Sequence, residues 1–366
     1  MPSLAIVGRE SASPAFKVAV LLISIAAGLA AIGLLFFLIG VDPVFALSKI
    51  FIGSFGSPYG LKETVTKAIP LLLTACGLAL AFRGKFWNIG AESQLLMGAM
   101  AATWVGLNLP PGLPHGLAVA LLFAAGFVGG ALWGAVPALL KSRFGLNEVI
   151  STLMLNYVAA ELLNFLIVGP WQGASKHGFP YTDDLPKNAL LGLIPGSRIH
   201  YLTLILGLAC ALLLYLVMYR TKFGYEVRVV GESPDAARYA GIDFFRVTLV
   251  MMLISGGLAG LAGVGEVAGV HQHLSYPRNI SAGYGFTAII VAWLGKLNPL
   301  LVVLSSFFFA GILVGGDAIQ ISMQLPAATV DVFNGVLLVF MIAGDYFLEH
   351  RLVLKLRRAA AGCGES

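Results

Sequence analysis

Three carboxylates stand in otherwise apolar sequence, and with the amides around them they are the residues with chemical capacity. Glu92 follows Asn88 and precedes Gln94 at the start of one apolar stretch, Glu161 lies inside a second, and Glu266 interrupts a third. Ionisable groups at membrane depth are costly, so each marks a candidate site, here for holding a polar solute rather than for breaking bonds. Tyr157, Glu161 and Asn164 fall at i, i+4 and i+7, so they share one helix face, which is expected to look inward. Interhelical hydrogen bonding is an equally good account of any one of these groups. His271 and His273 have no Cys or third ligand nearby, so no metal site is expected there. Gly84-Lys85 and Gly295-Lys296 lack the upstream glycine and following hydroxyl of a phosphate-binding loop, and neither His-Glu-x-x-His nor Gly-x-Ser-x-Gly occurs. The chain is therefore not expected to be an enzyme or to carry a cofactor.

The elements that must position these residues are membrane helices. Of 366 residues, 58% are apolar and 11% are Asp, Glu, Lys or Arg, against roughly 25% charged residues in a soluble domain. The net charge is +5, but the basic residues lie in short clusters without interleaved aromatics, so nucleic acid is not an expected partner. Cys76, Cys210 and Cys363 are too dispersed for a disulfide framework. A span needs about 20 mostly apolar residues. Ten candidates meet or approach that length: 18–41, 68–82, 93–109, 116–140, 149–168, 201–219, 247–270, 280–295, 299–320 and 332–348. With the N-terminus inside, sixteen Lys and Arg fall on one side, including Arg83, Lys141, Arg220 and Lys296, and seven on the other, including Lys62, Lys176 and Arg278. Positive loops stay cytoplasmic, so the expectation is an all-α polytopic protein with both termini in the cytoplasm. Residues 1–17 form a cytoplasmic segment, 18–348 the transmembrane domain, and 349–366 a basic cytoplasmic tail.

Two loops are long. The outer one, 169–200, is rich in Gly, Pro and polar residues and either caps the outer mouth or connects two helices. The inner one, 220–246, holds a compact helix signal: Ser233 as N-cap, Pro234 at the first helical position, Asp235 at the positive dipole end and Gly241 as a left-handed terminator. It is either a connector or a docking helix for a soluble partner. The segment Phe86-Trp-Asn-Ile-Gly-Ala91 resembles Pro277-Arg-Asn-Ile-Ser-Ala282, which suggests pseudo-repeated halves with interrupted helices. Interrupted helices in corresponding halves point to a transporter binding site, because half-helix ends present backbone groups. Gly126, Gly130 and Gly134, like Gly256 and Gly260, have the four-residue spacing that lets helix backbones approach.

Phe86 to Gln94, Leu140 to Tyr157, the Gly231–Ile242 loop and Ser255 to Glu266 together resemble the permease subunits of bacterial ABC importers of the branched-chain amino acid and simple-sugar class, in particular the subgroup associated with nucleoside uptake. The resemblance runs from Leu61 to Leu348. Trp87 and Ser93 stand where the family commonly has Phe and Gly. It implies an inner-membrane location, a second related permease, cytoplasmic ABC ATPase subunits and an extracytoplasmic solute-binding protein. It also implies that the inner helix is a coupling helix, with Glu232, Ser233, Pro234, Ala236, Ala237, Arg238, Gly241 and Ile242 at the ATPase contact.

The substrate path is then expected between the two interrupted segments, from Trp87, Asn88, Glu92 and Gln94 on one side and Asn279 and Phe286 on the other, with Asn156, Glu161 and Glu266 contributing. An aromatic ring to stack on a base, with amides and carboxylates for ribose hydroxyls, is the chemistry a nucleoside requires. Two alternatives stand beside this reading: an ion-coupled secondary transporter with Glu161 or Glu266 carrying protons, and an ABC permease for simple sugars.

Overall fold

The computed structural model of the chain describes residues 3–8, 13–324, scattered positions between 326 and 346, and 350–355. It divides into two units, Met1–Lys49 with Ile319–Ser366, and Ile50–Ala318. In the first, strand β1 (Ser3–Gly8) pairs antiparallel with β2 (His350–Lys355), Ser3 opposite Lys355 and Gly8 opposite His350. The chain expected to be all-α therefore carries one short strand pair, inside the terminal segments 1–17 and 349–366. Helix α1 (Pro14–Leu38) follows, its N-terminus capped by Ser13, whose hydroxyl accepts from the Phe16 N–H at 3.3 Å. The expected span 332–348 lies largely outside the described residues.

The next helix in the chain, α2 (Pro43–Phe55), has no counterpart among the expected spans. The second unit then runs through α3 (Pro58–Arg83), α4 (Ala91–Leu107), α5 (His115–Phe144), α6 (Glu148–Val168), α7 (Tyr201–Arg220), the short α8 (Lys222–Glu232) and α9 (Pro234–Tyr239), α10 (Phe244–Val264), α11 (Pro277–Ile280), α12 (Tyr284–Leu294) and α13 (Pro299–Met323). Among the described residues six helices are long and apolar enough to cross a membrane: α3, α5, α6, α7, α10 with its extension to His271, and α13. The ten expected spans are not all of this kind. At 1.5 Å per residue α4 is about 25 Å long and α12 about 16 Å, so the expected eighth span, 280–295, is a half-helix preceded by a break.

Helices α4, α5 and α10 form the centre, and their glycines explain how. A Cβ on Gly98 or Gly130 would strike the backbone of Gly260, and one on Gly134 would come within 2.8 Å of the Met252 carbonyl oxygen. The spacing read from the sequence therefore marks backbone contact, where dispersion between closely approaching helices replaces a hydrophobic drive that lipid cannot supply. Beyond Val264 the helix widens into a π-turn, Gly265–His271, ending at Gln272 with φ 64°.

Candidate functional site

The first break lies between α3 and α4. Backbone groups freed inside a bilayer must find partners within the protein, and side chains from three helices supply them. Asn88 and Gln94 bond reciprocally, the Asn88 amide donating to Gln94 Oε1 at 2.9 Å and the Gln94 amide to Asn88 Oδ1 at 3.1 Å. Asn88 Nδ2 also donates to Ser255 Oγ on α10 at 3.2 Å, and the Gly90 N–H to Asn88 Oδ1 at 3.1 Å. From α6, Asn156 accepts from the Ser93 N–H at 3.1 Å and donates to the Ile89 carbonyl at 3.0 Å, while Thr152 Oγ1 accepts from the Ile89 N–H at 3.3 Å. Thr152 and Asn156 stand four and eight residues into α6, about 6 and 12 Å along its axis, so the break is sunk well inside the bundle.

The second break, before α12, meets the first. Gly283, at φ 79°, turns the chain into α12, and Glu92 Oε2 accepts from the Gly285 N–H at 2.7 Å. A carboxylate at a helix N-terminus satisfies an orphan donor and complements the dipole. The two interrupted segments named from the sequence are therefore in contact.

The expected path residues divide by exposure. Asn88, Gln94, Glu92, Asn156 and Glu266 are buried. Trp87 is 46% exposed and Phe286 43%, and Glu161 and Asn279 are also exposed. Trp87 stacks on Trp293 of α12, centroids 5.8 Å apart and planes 22° from parallel, and both rings adjoin Phe82, at 5.6 and 6.0 Å. Phe286 and Trp293 are seven residues apart on α12, two turns on one face.

One expectation is corrected here. The α6 face of Tyr157, Glu161 and Asn164 does not look into this chain: the buried stripe is Thr152, Asn156, Ala159, Leu163 and Ile167, and Tyr157 is 64% exposed. Glu266 stands apart from the first break, opening the π-turn eleven residues beyond Ser255, about 16 Å along the axis, with His271 Nε2 3.7 Å from its carboxylate, while that turn packs against α11 beside the second break. Among the described residues no three His, Cys, Asp or Glu side chains gather as metal ligands.

The long loop 169–200 is fastened to the end of α10. Leu191 and Leu185 donate backbone bonds to Ala268 and Gln272, at 3.0 and 2.8 Å, and Thr182 bonds Leu274 through both its N–H and its hydroxyl at 3.0 Å. His200 lies buried against Gly265 and Gly269, Arg198 pairs with Glu63, and Lys62 donates to the Gly196 carbonyl at 3.1 Å. Electrostatics follow: bonds from the Ser175 hydroxyl and N–H hold the Asp183 carboxyl below its ordinary range, and the carboxylate of Glu63 holds Arg198 above its own. Burial, with Lys176 nearby, pushes His273 below the usual imidazole value.

The basic loop contains the helix read from its sequence. Ser233 accepts from the Ala236 N–H at 3.2 Å, Pro234 opens the helix, and Gly241 takes φ 71° while Ile242 N–H closes on the Ala237 carbonyl at 2.9 Å. Asp235 and Arg238 pair at 3.6 Å on its surface, and Glu232, ending α8, is exposed. Ala237, expected at the contact surface, is fully buried against its own chain, whereas Tyr239, which the sequence reading passed over, is 95% exposed.

Residues 60–342 match the family described as branched-chain amino acid transport system / permease component. The chain is 35% identical to the glucose ABC transporter permease protein TsgB13 of Haloferax volcanii, over 92% of this chain and 90% of that one. It is 34% identical to the guanosine ABC transporter permease protein NupP of Bacillus subtilis, over 93% and 97%. A second guanosine permease of that organism, NupQ, is 29% identical over 79% and 88%.

Proposed function

The chain belongs to the branched-chain amino acid transport system permease family, a multi-pass membrane protein, and we propose that it forms one half of the path of an ATP-driven nucleoside importer. The observation that carries the substrate is the half-exposed Trp87 on the first break, stacked on Trp293 of α12 with the exposed Phe286 two turns away on the same face, because a nucleobase offers a flat π-face to stack on while the neighbouring polar groups suit a ribose. The likeness to the guanosine permease supports the same substrate.

In this reading the breaks have two layers. Asn88, Gln94, Asn156 and Glu92 lock the half-helices together, and Trp87, Phe286 and Asn279 meet the solute. The α9 helix docks on a cytoplasmic ATPase that performs the hydrolysis, a second permease completes the path, and a solute-binding protein delivers cargo on the side of the 169–200 loop. Glu232, Ser233, Pro234, Ala236, Arg238, Gly241 and Ile242 shape that dock. The sixteen-to-seven split of basic residues and the pairing of β1 with β2 support both termini lying in the cytoplasm. Since NupP and NupQ are two guanosine permeases of one organism, their joint similarity supports a distinct partner permease. Closure of the ATPases would move α9, and α10 would carry that motion to the 169–200 loop, to which its far end is bonded.

A second reading, a sugar permease, is favoured by the likeness to the glucose permease. Uptake of labelled guanosine by cells carrying the complete transporter separates the two: excess unlabelled nucleoside competes and excess glucose does not. The reverse competition would replace nucleoside by sugar.

A further inference from the structure

Helix α8 lies between the proposed ATPase dock and the first break, and it touches both. Its buried face is Gly224, Val227, Val230 and Gly231, at i, i+3, i+6 and i+7. At the start of that face Gly224 lies against α7, where a Cβ would come 2.3 Å from the Val217 carbonyl oxygen, and Arg228 donates to the Met218 carbonyl. At its end Gly231 lies against the last turn of α3. A Cβ there would come 2.3 Å from the Arg83 carbonyl oxygen and 3.2 Å from the Gly84 carbonyl carbon. These are backbone atoms with no rotamer to escape into, so only the hydrogen of a glycine fits. Val227, one turn earlier, is fully buried and faces the same place, since a Cβ on Gly84 would stand 3.5 Å from its Cγ1.

Both sides of this contact are stiff. Toward the dock, Ser233 ends α8 and begins α9 with no residue between them: its N–H donates to the Val229 carbonyl at 2.9 Å, and its hydroxyl accepts from the Ala236 N–H at 3.2 Å. The two helices therefore make an elbow and not a pair joined by a linker. Toward the solute, three residues separate Gly84 from Asn88, and Trp87 is one of them. Lys85, at φ 51°, donates its N–H to the Phe82 carbonyl at 3.0 Å, Phe86 to Ala81 at 3.0 Å and Asn88 to Phe86 at 2.9 Å. The Phe86 ring is buried, with the Lys141 ammonium 4.9 Å from its centroid. A displacement at Gly84 is thus passed on to Trp87 and Asn88, because closely packed elements shift as bodies and do not deform continuously.

We propose that Gly231 positions the first break during transport: through it the elbow of α8 and α9 bears on the Arg83–Gly84 end of α3, so that movement of α9 shifts Trp87 and Asn88 directly. This rests on the importer reading. It adds to the route through α10, which ends at the outer loop, a shorter arm that ends where the solute is held. The contact sets backbone against backbone, so it transmits a push without a side chain that could rotate out of the way.

The test is the coupling ratio, ATP hydrolysed per molecule of solute imported, in proteoliposomes holding both permeases, the ATPase and the binding protein. The probe is labelled guanosine, or labelled glucose where the wild type imports that instead. Two variants disturb the contact in opposite senses: Gly231→Ala overfills it and Val227→Ala slackens it. They are expected to raise the ratio about fivefold and about threefold respectively, through slower uptake, with the ATPase still co-purifying. Where Gly231→Ala yields no folded protein, Val227→Ala decides alone. A wild-type ratio in either folded variant overturns the proposal, whether neither rate changes or both fall together. So does loss of the ATPase on purification, which would make the contact a support of the dock. A wild type that imports without the ATPase removes the importer reading as well, whereas ATP-driven wild-type uptake with an unaltered ratio in the variants removes only the role of Gly231.

Discussion

Glu92, in the first turn of α4, accepts a 2.7 Å hydrogen bond from the backbone N–H of Gly285 in the first turn of α12, so each break in the bundle holds the other. The approach is close enough that a Cβ on Gly285 would lie 2.8 Å from Glu92 Oε2. A buried donor stripped of its acceptor costs about 1–3 kcal/mol. Glu92→Ala should therefore lower the melting temperature of the detergent-purified complex, and Glu92→Gln, which keeps a carbonyl acceptor, should restore most of the difference. Thermal melts of the two variants check this. An unaltered melt for Glu92→Ala, with transport alone reduced, would move Glu92 from the helix cap to the solute.

The aromatic pair of Trp87 and Trp293 makes a different prediction, because it concerns the solute and not the scaffold. Stacking of a base on an aromatic side chain is worth about 1–3 kcal/mol, so Trp87→Ala should reduce nucleoside uptake about tenfold with little change in melting temperature. Trp87→Phe should retain more than half of it. Uptake rates measured at matched protein levels decide, and a Trp87→Ala transporter as fast as the wild type would remove the aromatic group from the path.

At the cytoplasmic helix the exposed residue is Tyr239, and partner-buried tyrosines are often the anchors of interfaces, with truncations of about 2 kcal/mol or more. Tyr239→Ala should weaken retention of the ATPase on the purified permease pair at least tenfold, while Tyr239→Phe, which keeps the ring, should lose much less. Ala237→Glu would not test docking, since it places a charge inside the chain's own packing and should reduce the yield of folded protein. Titrating ATPase onto immobilised permeases gives the numbers, and equal affinity for wild type and Tyr239→Ala would exclude the anchor.

Much of this was legible in the sequence for identifiable reasons. Polar residues interrupting apolar runs at 86–91 and 277–282 mark the breaks, Ser233, Pro234 and Gly241 mark a helix with both ends specified locally, and the four-residue glycine spacing marks close backbones. What a single sequence does not encode locally is which neighbour each side chain meets. The sequence does not show that Asn88 and Gln94 bond each other, and the α6 periodicity groups Tyr157, Glu161 and Asn164 without saying which way the group faces. Glu92 and Glu266 both interrupt a span, but only the structure shows that Glu92 caps α12 while Glu266 opens the π-turn that packs against α11. The ribbon of β1 and β2 joins segments more than 300 residues apart, beyond any local pattern.

The central claim is that this chain is the membrane path of an importer whose energy comes from a partner ATPase, and reconstitution tests it most directly. The two permeases, the ATPase and a solute-binding protein loaded with labelled guanosine are placed in proteoliposomes, and transport is followed with ATP or with a proton or sodium gradient. The account predicts transport that requires ATP, the ATPase and the binding protein together, and that is indifferent to the ion gradient. Uptake by the permeases alone, driven by the gradient without ATPase or ATP, would contradict it and establish a secondary transporter.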